Sequence, residues 1–468
     1  MEGSTVTELQ RTTSGRILEL DLAGVVRGRQ SEALAAHLRT AIRSRSLPAG
    51  TVLPASRTLA ADLGVSRGVV VRAYEQLTAE GYLQAVRGSG TRVASVPGLT
   101  ERVPLRAERR SSNPGLPSGA SFPRLAWARC AARALASLSD EDLGYGDPAG
   151  LPRLRAELAA YLGRVRALLA PPGQIVVVNG FGQASRLVAE VLLGRGIDRV
   201  GVEDPGSTGL REQLTVAGLS CVGVPVDEQG VRVDVLAEAG LAAVFVTPAH
   251  QFPTGVVMSA ARRHALLGWA REVDGLVVED DYDAEFRYDR SPVGALQGLG
   301  PDVVVYGGSA SKTLAPGLRL GWLVVPEHLI PAFTDAKYAA DLGRGVLDQA
   351  TLAELLASGE MDRHIRRMAS TYRRRRDRLA AAVATHLPGW ETTGSAAGLH
   401  VVLRPPSGDE DGLAVLAQRC GLDARPLGPY AMTASRQPGL VVGFGHQRAG
   451  SLAAAVASFA AAGGATPG

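Results

Sequence analysis

From residue 122 onward, short β-branched runs alternate with helical stretches, and this alternation is the strongest constraint on the fold. QIVVVNG, RVGVEDPG, LSCVGVPVD, AAVFVTP, GLVVEDD and DVVVYGG read as strands. Stretches such as QASRLVAEVLL and ARRHALLGWAREV lie between them and have the apolar spacing of helices. A strand that is apolar throughout must be covered on both faces, and intervening helices supply the cover. The expected fold over residues 122–465 is α/β, a mostly parallel sheet with helices on both faces. Ligands on such sheets gather at the carboxyl ends of the strands, so those ends carry the candidate residues.

Lysine usage singles out one of them. Of 50 Lys and Arg residues in 468, only Lys312 and Lys337 are lysine. A guanidinium keeps its proton, so arginine cannot replace a lysine that must form an imine. Lys312, in VVVYGGSASKTLAPGLRLGW, follows a strand and is a candidate Schiff-base lysine. Lys337, in FTDAKYAADL, is expected to be an exposed surface lysine. Ser309 and Ser311 before Lys312, and Arg319 after it, suit a phosphate ester held beside an imine. Asn179-Gly180-Phe181-Gly182-Gln183 follows a strand and opens a helix, where backbone amides can cradle a phosphate. Glu279-Asp280-Asp281-Tyr282 follows another strand. A carboxylate from Asp280 beside a pyridine nitrogen would keep it protonated and make the ring an electron sink; helix capping is the alternative.

The N-terminal part has a different character. Arg27 to Pro97 holds ten arginines against four acids, a net of +6, so the remainder carries −2 of the overall +4. A basic part beside a slightly acidic one suggests an anionic polymer as partner for the first alone. Leu34, Leu38 and Ile42 fall at helical spacing. Ser56 is expected to cap a short helix ending at Leu63-Gly64, and Ser66 a second one running to about Ala79, with Val70, Ala73, Tyr74 and Leu77 inward and Gly81 ending it. Two short helices joined by a glycine-containing turn form a helix-turn-helix. LQAVRGSGTRVAS then reads as a β-hairpin with Gly88-Ser89-Gly90 at its tip. Ser66, Arg67 and Gly68 at the start of the second helix can enter a major groove, Arg57 can reach phosphate, and the Arg87–Arg92 hairpin can lie along the minor groove.

Residues 96–121 are rich in Pro, Gly, Ser and Arg and are expected to be a flexible linker, too polar to bury. Three scattered cysteines make neither a disulfide framework nor a zinc site. No apolar run is long enough for a membrane span and the N-terminus lacks a signal-peptide core, so a cytoplasmic location is expected. HIRRMASTYRRRRDRL, from His364 to Leu379, is expected to be a helix with a solvated basic face, where Arg373–Arg376 could touch bent DNA.

LPASRTLAADLGVSRGVVVRAYEQLTAEGYL with RGSGTRV resembles the GntR-family winged helix-turn-helix, the domain here spanning residues 28–95. The resemblance implies DNA contacts from Arg57, Arg67 and the wing around Gly88. Arg72 is offset, since the family's second recognition-helix arginine falls nearer Val71. The order glycine turn, acid-x-Tyr, Ser-x-Ser-Lys, Arg resembles the fold type I pyridoxal-phosphate enzymes, the aspartate aminotransferase superfamily. It implies that Lys312 forms the imine with pyridoxal 5'-phosphate, that Asp280 pairs with the ring nitrogen and that Tyr282 lies near the ring hydroxyl. Gly180, Phe181, Ser309, Ser311 and Arg319 then match the phosphate cup, and Tyr145, in GYGDPAG, the tyrosine donated to a neighbouring subunit.

Both resemblances on one chain, with TPAHQFPTGVVMS, VVEDDYDAEFRY, SASKTLAPGLRLGW and AGLHVVL, identify it as similar to the MocR family of transcriptional regulators. That implies a head-to-tail homodimer on a double-stranded DNA operator, responding to pyridoxal phosphate or to a small amine or amino-acid effector through a Schiff base at Lys312. An active aminotransferase with an accessory DNA-binding domain is the alternative, and a mere dimerisation scaffold a third reading. Two departures stand out. Ser207 occupies the place of an aromatic that stacks on the ring, leaving Phe181 or His250 to cover it. The arginine for a substrate carboxylate would fall near Gly439, with Arg436 out of register.

Overall fold

A computed structural model describes residues 25–26, 28–86, 90–95, 114–288, 293–394, 397–433 and 437–464, with the backbone of a short antiparallel pair, β1 (Glu8–Leu9) and β2 (Leu18–Glu19). The chain divides into two compact units, Met1–Arg109 and Arg110–Gly468.

The first unit contains α1 (Gln30–Arg43), α2 (Ser56–Asp62), α3 (Arg67–Ala79) and an antiparallel hairpin, β3 (Leu83–Val86) with β4 (Gly90–Val93). Leu34, Leu38 and Ile42 pack against Leu59, Val70, Ala73, Tyr74 and Leu77, so the helical periodicities describe one small core. Gly64 (φ 66°) and Gly81 (φ 80°) terminate α2 and α3 in the left-handed region, where glycine has no Cβ to clash. The capping expectation needs correction at α2: Ser56 is the first helical residue, and Ala55 occupies the cap position. Ser66 does hold the cap position of α3, but its hydroxyl makes no capping bond. Arg39 pairs with Glu80 at 2.7 Å and ties α1 to the end of α3.

The second unit opens with α4 (Arg124–Ser137) and α5 (Pro152–Arg166). Its eight-stranded sheet comprises β5 (Ile175–Val178), β6 (Arg199–Asp204), β7 (Ser220–Asp227), β8 (Gly230–Val231), β9 (Ala243–Val246), β10 (Leu276–Asp281), β11 (Val304–Ser309) and β12 (Gly321–Val324), in the order β5-β12-β11-β10-β9-β6-β7-β8. β11, β10, β9, β6 and β7 run parallel; β12 is antiparallel to both neighbours and β8 to β7. The helices α6 (Phe181–Gly194), α7 (Thr208–Val216), α8 (Val233–Glu238), α9 (Ala260–Glu272), α10 (Ile330–Asp341) and α11 (Val346–Ala357) connect and cover it. Val176 and Val178 face one layer with Leu187, Val188 and Phe333, while Ile175 and Val177 face another with Leu154, Leu158 and Leu352. Both faces of the strands are buried, hence the continuous apolar runs.

A long helix, α12 (Glu360–His386), leads to a four-stranded antiparallel sheet of β13 (Glu391–Thr393), β14 (His400–Arg404), β15 (Asp423–Pro426) and β16 (Leu440–Gly443), in the order β13-β14-β16-β15, with α13 (Glu410–Arg419) and α14 (Ala449–Phe459). Met368, Tyr372 and Leu379 bury one face of α12 in this second core. Arg373 and Arg374 are exposed, but Arg375 turns inward to the Gly445 carbonyl and over the Tyr372 ring.

The linker expectation fails at its C-terminal end. The unit boundary falls at Arg109–Arg110, and residues 114–121 pack on the large unit. Ser118 is buried and its backbone N–H donates to the Tyr372 hydroxyl at 3.1 Å. A side chain at Gly443 would meet the Pro114 carbonyl at 2.3 Å. Small residues on both sides let the segment lie against β16 despite its polarity.

Candidate functional site

Candidates from three strand ends of the large sheet come to one place. A cavity of about 290 Å³ is lined by Phe181, Asp280, Tyr282, Ser309, Ser311, Lys312 and Arg319. Asp280 stands at the end of β10, Ser309 ends β11, and Lys312 lies in the turn beyond it. No helix begins at Asp280, so capping is not its part.

Burial dominates the electrostatics. It lowers the Lys312 pKa, with Asp283 and Asp280 acting in opposition. It raises that of Asp280 well above the carboxylate range, reinforced by Asp281 and opposed by Lys312. Burial thus shifts Lys312 toward the unprotonated amine, the form that attacks a carbonyl. The site also holds a carboxyl that gains most from a cation brought beside it. The three acids of the EDD run divide their work. Glu279 accepts the backbone N–H groups of Leu296 and Gln297 at 2.9 and 3.0 Å. Asp281 accepts Arg166 at 2.7 and 3.2 Å and the Tyr306 hydroxyl at 2.7 Å. Only Asp280 of the three faces the cavity.

The phosphate end is built around Gly180. With φ 74° it turns the chain from β5 into α6, and a Cβ there would lie 2.9 Å from the Arg319 guanidinium. Arg319 donates to the Asn179 carbonyl at 2.7 Å and itself adopts φ 52°. Arg344 holds that strained residue by donating to the carbonyls of Leu318 (2.7 Å) and Arg319 (2.5 Å) and to the Asn179 side chain. Asp341 accepts Asn179 at 2.9 Å and Gln183 at 2.7 Å. It is also the partner of Lys337, which overturns the expectation of a surface lysine: Lys337 is fully buried and ion-paired behind the cup. The helix N-terminus, two hydroxyls and a guanidinium form a donor set suited to a phosphate.

Tyr145 and His250 lie away from the cavity wall. Tyr145 is 87% exposed, on a surface groove with Leu143, Leu342 and Leu347. His250 is buried behind Tyr282, 3.0 Å from its hydroxyl and 3.1 Å from Asp283. The aromatic rings lining the cavity are Phe181, Phe245, Phe252 and Tyr282. Ser207 has a local task, accepting the Leu210 N–H at 3.3 Å as cap of α7, while still lining the cavity. At Gly439 the backbone N–H donates to Glu410 at 2.9 Å; Arg436 lies outside the described residues. Among the described lining residues the cations are Lys312 and Arg319.

Glu203, Thr247, Phe252 and Gln213 also line the cavity and were not singled out. Glu203 and Phe252 sit within the EDPG and HQFPTG motifs, where a signal existed. Arg344 and Asp341 had none, because they reach the cup from a distant stretch of chain.

In the first unit Arg57, Ser66, Arg67, Gly68 and Arg72 are all exposed, and so is Gly90. Arg67 lies 3.4 Å from the Ser56 hydroxyl, which brings the starts of α2 and α3 together on one surface. Arg87, Gly88 and Ser89 lie outside the described residues.

Known proteins match both units. Residues 116–437 match the aminotransferase class I and II family, and residues 30–93 the bacterial regulatory proteins of the gntR family. The chain is 36% identical over 436 residues to the probable rhizopine catabolism regulatory protein MocR of Rhizobium meliloti, covering 87% of this chain and 88% of the relative. It is 34% identical over 423 residues to the HTH-type pyridoxine biosynthesis transcriptional regulator PdxR of Corynebacterium glutamicum, covering 88% and 91%. The crystal structure of multiple substrate aminotransferase from Thermococcus profundus superposes with a TM-score of 0.67 at 28% identity, covering 74% of this chain and 89% of that one. The aminotransferase fold carries with it pyridoxal 5'-phosphate as cofactor. Over most of its length, this chain belongs to the MocR-type helix-turn-helix transcriptional regulators, in which a GntR domain is joined to an aminotransferase class I and II domain.

Proposed function

We propose that this DNA-binding regulator holds pyridoxal phosphate on Lys312 and reads the cofactor, or an amine or amino acid meeting it there, as its signal. The observation that carries the reading is the desolvated lysine facing Asp280 across a cavity closed at one end by Arg319 and the start of α6. Bound there, the cofactor supplies an electrophilic carbonyl and an electron-withdrawing ring. Lys312 holds its carbon, Asp280 keeps its nitrogen protonated, and Gly180, Phe181, Ser309, Ser311 and Arg319 receive its phosphate. Arg57, Arg67, Arg72 and the wing contact operator DNA, with Ser66 and Gly68 admitting the backbone of α3 to the groove. A relative named for pyridoxine biosynthesis supports the cofactor itself as one signal. The exposure of Tyr145 supports a head-to-tail homodimer in which it serves the neighbouring site. A ligand acts only through a difference in affinity for two states of the dimer.

The test is binding of the purified protein to DNA upstream of its own gene, with and without pyridoxal phosphate. Specific binding that changes with the cofactor supports a cofactor sensor. Specific binding indifferent to it points to an amine effector. Sustained keto-acid production with turnover would put the aminotransferase reading first.

A further inference from the structure

Behind Tyr282 lies a buried polar cluster that the proposed function leaves unused. His250 Nδ1 is 3.0 Å from the Tyr282 hydroxyl and 3.1 and 3.2 Å from the two Asp283 oxygens. His250 and Asp283 are 3% and 1% exposed. Gly398, two residues before β14, presses on the pair: a Cβ there would lie 2.3 Å from the His250 ring and 2.4 Å from Asp283. On the other side, the His400 ring centroid is 5.1 Å from that of His250, and His400 Nε2 donates to the Pro253 carbonyl at 3.1 Å. Packing of this closeness leaves His250 little freedom to rotate.

One nitrogen faces two oxygen groups, and that decides the proton positions. A carboxylate only accepts, so at 3.1 Å from Asp283 the Nδ1 atom must carry a hydrogen. A protonated Nδ1 offers no lone pair to Tyr282. The phenol oxygen can then only share the His250 hydrogen, and its own hydrogen must find an acceptor elsewhere. Among the described residues the phenol has no other hydrogen-bond acceptor, and Tyr282 lines the cavity, so the cavity is the direction left. We propose that His250 and Asp283 are positioning residues that aim the Tyr282 hydroxyl into the cavity as a permanent hydrogen-bond donor. This rests on the cofactor reading, since the acceptor is an anionic oxygen on the bound ring.

The surroundings suit the assignment. Burial, with Asp283, Asp280, Glu203 and Asp281 around it, holds the Tyr282 pKa well above the ordinary phenol value, so the hydrogen stays on. Burial and His250 push His400 down to about 3, so it adds no competing cation. Lys312, on the cavity wall, feels the charges of Asp283 and Asp280. A donor fixed on a ring oxygen stabilises its anion and makes the neighbouring imine more acidic.

Two measurements on the full chain test this. The first is the tautomer of His250 in the cofactor-free protein, by long-range 15N–1H correlation with labelled histidine. The His250 signal is assigned by its loss in His250→Gln or, should that chain not fold, by its shift in Tyr282→Phe. The Nδ1–H tautomer is expected, and Nε2–H with a bare Nδ1 would overturn the proposal. The second is the pH midpoint of the visible absorbance of the cofactor-loaded protein, compared for Asp283→Asn in the native and Tyr282→Phe backgrounds. Loss of a negative charge lowers the midpoint in both. Only with Tyr282 present does Asp283→Asn also release His250 to accept the phenol's hydrogen, so the native-background midpoint should lie about one pH unit, tenfold in acidity, above that expected from charge alone. Equal shifts in both backgrounds would refute the positioning role. Absence of any visible band after reconstitution would defeat the cofactor reading, while the tautomer measurement would still decide His250.

Discussion

Adjacent acids on one strand make opposite predictions, and the pair Asp281 and Asp280 is the sharpest test of the site. The Asp281 side chain is 2% exposed and that of Arg166 1%, joined by contacts of 2.7 and 3.2 Å, with Tyr306 donating at 2.7 Å. Asp281→Asn keeps the shape and removes the charge. Arg166 would keep the Val293 carbonyl at 2.6 Å but, still buried, lose the carboxylate that it is hydrogen-bonded to. Breaking such a pair costs about 3–5 kcal/mol, far more than the 0–1 kcal/mol of an exposed one. Asp280 has no such partner among the described residues, and burial together with Asp281 pushes its pKa up, toward the neutral form, in the free protein. Asp280→Asn should therefore change the stability of the cofactor-free chain by less than about 1 kcal/mol, or raise it, while weakening cofactor binding. The assay is guanidinium unfolding followed by tryptophan fluorescence. All four tryptophans, Trp127, Trp269, Trp322 and Trp390, lie in the large unit, so the signal reports that unit alone. A loss below about 1 kcal/mol for Asp281→Asn, or an equal loss for both variants, would refute the division of labour.

Other outcomes are as definite. Lys312→Ala should abolish the visible band of the reconstituted protein yet leave its unfolding midpoint unchanged or higher, because the amine it removes is desolvated. An unchanged spectrum would show that another group forms the imine. Arg67→Ala should cost about 1–3 kcal/mol of specific DNA binding and relax base choice, read from a salt-controlled binding titration. Glu203 is buried, its Oε1 lacks a partner, and burial raises its pKa to about 7. A raised carboxyl pKa means that the folded state binds more protons than the unfolded one between pH 4.5 and 7, so stability falls as pH rises through that window. Glu203→Gln should flatten this part of the stability–pH curve of the cofactor-free protein, and an unchanged slope would place the titration on another group.

Much of the site was legible in the sequence because its parts are local. A strand end, a glycine turn and the residues next to them read as motifs, so Gly180, Phe181, Asp280, Tyr282, Ser309, Ser311, Lys312 and Arg319 could all be found there. What stayed hidden depends on pairings across the chain. Lys337 looked like surface until the fold set it against Asp341. Ser118 and Gly115 looked like linker until Gly443 and Gly445 made room for that segment beside β16. The antiparallel β12 was masked inside the run around Lys312, and the small antiparallel sheet was not read from its short strands.

The sequence alone determined the two-unit plan, the α/β class of the second unit and the lysine on which its chemistry centres. Each follows from periodicity, charge distribution or the fact that arginine cannot form an imine, and none needs a distant contact. The tertiary structure decided which acid of Glu279-Asp280-Asp281 faces the ligand and which are spent on structure. It also set what stands behind Tyr282. Those outcomes rest on burial and on partners more than 100 residues away, such as Arg166 for Asp281 and Gly398 against Asp283. A buried charge is defined by its counter-ion, and only the folded chain supplies one.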